Sequence, residues 1–218
     1  MARQSTQSPL SERWVSRRVV VRMPQVVAGI VILGVGVGMM AQGDLGFGPW
    51  AVLAEGIGKQ ADIALGTASI LVGLVVLMSW FIVRVRPGIA TVANVMGVGL
   101  VINASIEVLP VPDTLWGRLP MTVGGVVAVG LGIGLYLAAD LGPGPRDGLT
   151  TGLHHKLGWS IRRVRTTIEV TVLVVGFLLG GTIGLGTVLM ALAVGPVMQA
   201  ALSVLDREGR VMHRAAAG

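Results

Sequence analysis

Two segments 96 positions apart are almost the same: Asp44-Leu45-Gly46-Phe47-Gly48-Pro49 and Asp140-Leu141-Gly142-Pro143-Gly144-Pro145. Each follows an apolar run with the same glycine ladder, Gly34, Gly36 and Gly38 in the first copy and Gly130, Gly132 and Gly134 in the second. Residues 22–109 slide onto 118–205 without a gap, and the correspondence continues along the whole overlap, with Arg22 on Arg118, Pro24 on Pro120 and Leu53 on Leu149. Self-similarity at a fixed offset means that one structural unit is used twice.

The unit belongs in a membrane. No charge falls within Pro24–Gly43, Ile63–Val83, Pro87–Ile106, Leu119–Ala139 or Val170–Leu205. About 20 apolar residues cross a hydrocarbon core of about 30 Å, so the first four runs each fit one helix. The last run is too long for one crossing and is interrupted by Gly180-Gly181-Thr182-Ile183-Gly184-Leu185-Gly186. It reads as two helices, the first beginning near Val164. The runs do not alternate apolar and polar, which argues against barrel strands. The expected fold is therefore all-α, with six spans built from two three-helix repeats and a short helix after each glycine-rich loop. The expected divisions are a basic tail over 1–23, a first repeat over 24–109, an external linker over 110–118, a second repeat over 119–205 and a tail over 206–218.

An odd number of spans inverts the second copy, and the charges agree. With the N-terminus inside, cytoplasmic segments carry Arg3, Arg13, Arg17, Arg18, Arg22, Arg84, Arg86, Arg146, Lys156, Arg162, Arg163, Arg165, Arg207, Arg210 and Arg214, whereas Lys59 and Arg118 fall outside. This is a positive-inside pattern, with both termini cytoplasmic in a plasma membrane. The repeat shows how orientation is written. Gly66, Thr67 and Ser69 correspond to Arg162, Arg163 and Arg165, while Arg84 and Arg86 correspond to Gly180 and Thr182. Moving arginines from one end of a helix to the other flips the unit. The basic surplus is thus a topology signal beside an anionic leaflet, and nucleic acid is not an expected partner. The expected surroundings are the lipid bilayer, with a homodimer or a membrane-protein partner compatible with the chain. A basic stretch precedes the first span, but no small-residue cleavage site follows it, so a retained anchor is expected.

The glycine-rich loops supply most of the candidate site residues: Asp44, Gly46, Gly48, Pro49 and Trp50, then Asp140, Gly142, Gly144, Pro145, Arg146 and Asp147. Glycine permits tight backbone turns, and proline suits a first helical turn. A short helix can restart at Pro49 and at Pro145, its N-terminus exposing free N–H groups and a positive dipole end. Asp44 and Asp140 could cap those N–H groups or bind a cation or proton. Each loop is either a turn at the interface or a re-entrant wall of a solute cavity. The copies then diverge. Trp50 reads as an interface anchor, whereas Arg146 and Asp147 place paired charges at one mouth only. Pro24 and Pro120 read as the starts of their helices. Gly34/Gly38 and Gly130/Gly134 have GxxxG spacing, which lets helices approach closely. Their partner is either the matching helix of the other copy or a helix within the same copy.

The tandem Asp-Leu-Gly-x-Gly-Pro loops, the run Arg162-Arg163-Val164-Arg165-Thr166-Thr167-Ile168-Glu169-Val170-Thr171 and the segment Gly184-Leu185-Gly186-Thr187-Val188 resemble the YczE/YyaS-type bacterial integral membrane proteins. The resemblance covers nearly the whole chain between the tails. It implies a multi-span bacterial membrane protein and no particular substrate. The usual first loop of that family reads Pro-Trp-Asp, whereas position 51 is alanine here, so only Asp147 keeps the acidic position.

Glu169 is the one carboxylate well inside an expected span. An ionisable group there costs about 3 kcal/mol on insertion scales. It is either a proton carrier or the partner of Arg165, four residues earlier on the same face. Asn94, Asn103, Thr91, Thr187 and Gln199 either bond between helices or line a path. His154 and His155 diverge on a helix, and with no cysteine in the chain a metal site is not expected. No phosphate loop or catalytic triad is visible, so neither an enzyme nor a bound cofactor is expected. The architecture points to a small-solute transporter or channel with its path between the repeats. The alternatives are a substrate-capture subunit of a multi-component importer and an accessory membrane scaffold.

Overall fold

The computed structural model describes residues 17–85 and 87–205, so residues 1–16 of the first expected tail, the whole of the second (206–218) and Arg86 lie outside the described residues. Among the described residues there are eight helices and no strand: α1 (Arg17–Gly43), α2 (Pro49–Ala61), α3 (Leu65–Val83), α4 (Ile89–Val108), α5 (Leu115–Ala138), α6 (Pro145–Leu157), α7 (Ile161–Leu178) and α8 (Leu185–Leu205). Five of them, α1, α3, α4, α5 and α8, are long and apolar enough to cross a membrane. The 18-residue α7 carries Arg162, Arg163, Arg165 and Glu169 and is the most charged of the long helices. Helices α2 and α6, at 13 residues each, are too short to cross.

The prolines do not start their helices. Pro24 lies inside α1 and Pro120 inside α5, each beyond the first turn. The helix of the second copy starts at Leu115 because Thr114 caps it, its side chain accepting from the Gly117 N–H. That cap lies within the stretch expected to be linker.

Helices α1 and α5 form the most extensive contact in the molecule. Glycines make it possible, but they are not the GxxxG glycines. A Cβ on Gly36 would stand 2.7 Å from the Gly125 carbonyl oxygen, and one on Gly132 would stand 2.7 Å from that of Gly29. Gly34 and Gly38 instead face α4, against Val101 and Ser105, while Gly130 and Gly134 face α8, against Val197 and Ala201. The within-copy alternative therefore holds for the GxxxG pairs, and a second glycine stripe on the same helices joins the copies. Each of these contacts has a counterpart 96 positions on.

The short helices cross over. Helix α2 packs on α7, and α6 packs on α3. A Cβ on Gly56 would stand 2.5 Å from the Gly176 carbonyl oxygen, so α2 and α7 touch backbone to backbone. The position equivalent to Gly176 is Trp80, whose buried ring lies under Gly148 and whose indole N–H donates to the Pro145 carbonyl at 3.0 Å. A large ring thus fills in one copy what close backbone approach achieves in the other.

A second asymmetry matters more. Helices α3 and α4 are packed together, whereas their counterparts α7 and α8 make almost no mutual contact. Gly66, Gly73 and Gly99 close the first pair: the Gly66 N–H donates to Asn103 Oδ1 at 2.8 Å, and Gly73 stands against Val95. Their counterparts are Arg162, Glu169 and Gly195. Two long charged side chains replace two glycines, and a Cβ on Gly195 would meet nothing within 4 Å. The second pair is left ajar.

Candidate functional site

Each glycine-rich loop turns where its sequence demands. Asp44 and Asp140 both sit in the left-handed region, at φ 50°, followed by Gly46 at φ 96° and Gly142 at φ 137°. Aspartate tolerates that region better than most side chains, and glycine has no Cβ to clash. The first loop docks on the start of α8, the Gly186 N–H donating to the Leu45 carbonyl at 2.7 Å. It then runs along α8 until Gly48 stands against Met190. The second loop docks on the start of α4, where buried Thr91 donates to the Pro143 carbonyl at 2.7 Å. Both loops therefore step inward along a helix of the other half before Pro49 and Pro145 open the short helices.

They end at one cavity of about 490 Å³, walled by α1, α3, α4, α5, α7 and α8 and by the first turns of α2 and α6. Its lining is mainly apolar, with Val37, Val76, Val98 and Met198 among the walls. The polar lining residues are few: Ser69, Asn94, Thr150, Gln199, Trp50 and Tyr136 beside the charged Arg146, Asp147, Arg165 and Glu169. That composition, apolar walls with a few placed polar groups, is typical of ligand sites.

The Arg146 guanidinium lies over the Trp50 ring, 5.0 Å from its centroid. Trp50 is buried, 8% exposed, in the cavity wall. It is therefore not an interface anchor, because its loop carries it inward and its face receives a cation. Arg146 has protein around it on most sides but is exposed to the open cavity. Burial lowers its pKa only to about 10, so it remains a cation at neutral pH. Burial pushes the Asp147 carboxyl upward, while the Arg165 and Arg146 guanidiniums pull it back down. Arg165 and Glu169 make an ion pair at 3.0 Å, the partner reading of Glu169, and both line the cavity.

Of the residues singled out from the sequence, Gly48, Pro49, Trp50, Gly144, Pro145, Arg146, Asp147 and Glu169 line this cavity. Asp44, Gly46, Asp140 and Gly142 are outside its lining and shape the turns. Neither aspartate caps a short helix: the N-caps are Gly48 and Gly144, without side-chain bonds. Asp44 instead faces Arg118 at 3.5 Å. Asn94 and Gln199 line the cavity, whereas Asn103 bonds between helices, Thr91 bonds the second glycine-rich loop and Thr187 is buried at the start of α8.

Sequence reasoning missed Glu55. On α2 it accepts from the Thr182 N–H at 2.6 Å and from the Thr182 hydroxyl at 2.9 Å, and it pairs with Lys59 at 2.7 Å. Lys59 also donates to the Gly180 carbonyl at 3.0 Å. Together they fasten the turn between α7 and α8. The counterpart of Glu55 is Thr151, so the repeat gave no signal.

A family described as "Family of unknown function (DUF6198)" matches residues 20–202. An uncharacterized protein of Haemophilus influenzae is 38% identical over 176 residues, covering 81% of each chain. The uncharacterized membrane protein YczE of Bacillus subtilis is 33% identical over 188 residues, covering 85% of this chain and 87% of its own. The protein YyaS of the same organism is 27% identical, covering 82% of this chain and 91% of its own. No solved structure matches. Five apolar helices and a relative named as a membrane protein make this an integral membrane protein. The chain belongs to the DUF6198 family, and its relatives are of the YczE/YyaS type that its loops resemble.

Proposed function

We propose that the chain is a six-span protein of two inverted three-helix repeats, with α7 as the sixth span, and that it carries a small solute by way of the central cavity. The termini are cytoplasmic in this reading, in a plasma membrane. The observation that carries it is the convergence of both glycine-rich loops on one cavity, where Arg146 of the second reaches Trp50 of the first. Broken helices meeting at a shared site between antiparallel repeats are a transporter arrangement. The glycine contacts support the inversion: Gly29 meets Gly132 and Gly36 meets Gly125, so α1 and α5 run past each other in opposite directions.

The test is a thermal-shift screen of the purified protein against classes of solute, followed by uptake into liposomes. A carrier is stabilised by its solute, and uptake falls when Arg146→Ala or Trp50→Ala disturbs the cavity. Failure of every solute class to shift stability or to cross the bilayer overturns the reading.

A further inference from the structure

The gap between α7 and α8 includes the middle of both helices. Glu169 lies midway along Ile161–Leu178, and Gly195 lies midway along Leu185–Leu205. Both residues line the central cavity, and so does Gln199, one turn further along α8. The middle of a membrane-crossing helix lies at hydrocarbon depth, where water does not wait at a doorway. A purely water-soluble ligand gains nothing from an entrance there. An amphiphile does, because its chain stays in lipid while its head enters the polar part of the cavity.

We propose that the α7–α8 gap is a lateral portal through which a small membrane amphiphile with a zwitterionic head enters the cavity. The head sits among Arg146, Asp147, Arg165 and Glu169, and the chain leaves past Gly195. This rests on the proposed function in placing the cargo in this cavity and in taking α7 as a span.

Three further observations fix the occupant. The four groups are two bases and two acids whose formal charges cancel, so a head of zero net charge matches the formal charge of the site. Among the described residues, no ion pair or side-chain hydrogen bond engages the Arg146 guanidinium or the Asp147 carboxylate, which leaves one group of each sign for the head. The rest of the lining is mainly apolar and suits a chain. The equivalent gap in the first copy is shut by Gly66, Gly73 and Gly99, so the opening is particular to the second.

Trp50 in the cavity wall gives the readout. The full chain is placed in nanodiscs of phosphocholine lipid with brominated acyl chains, and the fluorescence of Trp50 is taken as wild type minus Trp50→Phe. Bromine quenches on contact. The portal predicts that Trp50 is quenched although it is buried, with outward-facing Trp116, 85% exposed, as the internal positive control. Gly195→Leu places a side chain in open space and is expected to at least halve that quenching without lowering the melting temperature. Unbrominated phosphocholine lipid is expected to relieve the quenching at least as well as unbrominated phosphoglycerol lipid. An unquenched Trp50 beside a quenched Trp116 overturns the portal. So does cross-linking of Gly195→Cys between two copies, which would mean that a second chain covers the gap. Preferential relief by phosphoglycerol lipid overturns the zwitterionic head. Solute uptake with an unquenched Trp50 leaves the carrier reading standing without the portal, whereas quenching without any uptake does the reverse.

Discussion

The Trp50 ring and the Arg146 guanidinium stand 5.0 Å apart although their loops are 96 positions apart in sequence. The two positions are equivalent in the repeat, so the contact could form only after the copies diverged. A cation over an indole in a partly desolvated wall contributes about 0.5–2 kcal/mol. A double-mutant cycle on Trp50→Leu and Arg146→Gln, read by chemical or thermal unfolding, is expected to give a coupling in that range. Additive effects would mean that the contact holds nothing in place.

The stripe of glycines between α1 and α5 is expected to tolerate no side chain. A Cβ on Gly132 would stand 2.5 Å from the Leu33 backbone nitrogen, and backbone cannot move aside cheaply. Gly132→Ala is expected to destabilise the protein by about 1–3 kcal/mol through overpacking. Gly195→Ala, in open space, is expected to be neutral or to stabilise by about 0.5–1 kcal/mol through helix propensity. Melting temperatures of the two variants in one detergent make the comparison.

Glu55 holds the turn before α8 with two hydrogen bonds to Thr182. Glu55→Ala leaves that turn without its acceptor and is expected to cost about 1–3 kcal/mol. Lys59 is half exposed, so Lys59→Ala is expected to cost much less. Hydrogen exchange at Gly181 and Thr182 should rise in the first variant and barely change in the second.

Asp147 sets the pH response of the cavity. Burial raises its carboxyl, so its charge is lost at a pH above the ordinary carboxylate range as pH falls. Arg165 and Arg146 oppose that shift, and Glu169 adds to it. The sign follows: as pH falls, protonation removes the anion earlier than it would for an ordinary carboxylate. Tryptophan emission from Trp50 and Trp80, which border the first turn of α6, is expected to show this step. Asp147→Asn should abolish the step, and Glu169→Gln should keep it, because Glu169 is held by Arg165.

Much of this was legible from the sequence because membrane helices announce themselves by length and apolarity, and because the repeat marks both loops. The paired charges of Arg146 and Asp147 were visible, as was the partner of Glu169 four residues away. The partners of the glycines were not. Helix α1 carries two stripes, Gly29 with Gly36 and Gly34 with Gly38, and spacing alone does not say which faces the other copy. Trp50 looked like an anchor because an aromatic residue after a loop usually marks an interface. Its cation lies in the other repeat, beyond any local pattern. Glu55 was hidden for the same reason, since its partner Thr182 is 127 residues away. The open side of the cavity comes from Arg162 and Glu169 standing where Gly66 and Gly73 stand in the first copy. In the sequence Arg162 is a topology signal, and its effect on packing shows only once α8 is in place.

The central claim is that two copies of one unit stand in opposite orientations around a shared cavity. The chain has no cysteine, so single cysteines can be introduced cleanly. Ala61 and Leu157 are equivalent, exposed positions at the ends of α2 and α6, away from the cavity. In sealed, oriented membrane vesicles, Ala61→Cys is expected to react with an impermeant maleimide from the external side only, and Leu157→Cys from the cytoplasmic side only. Labelling of both from the same side would contradict the inversion.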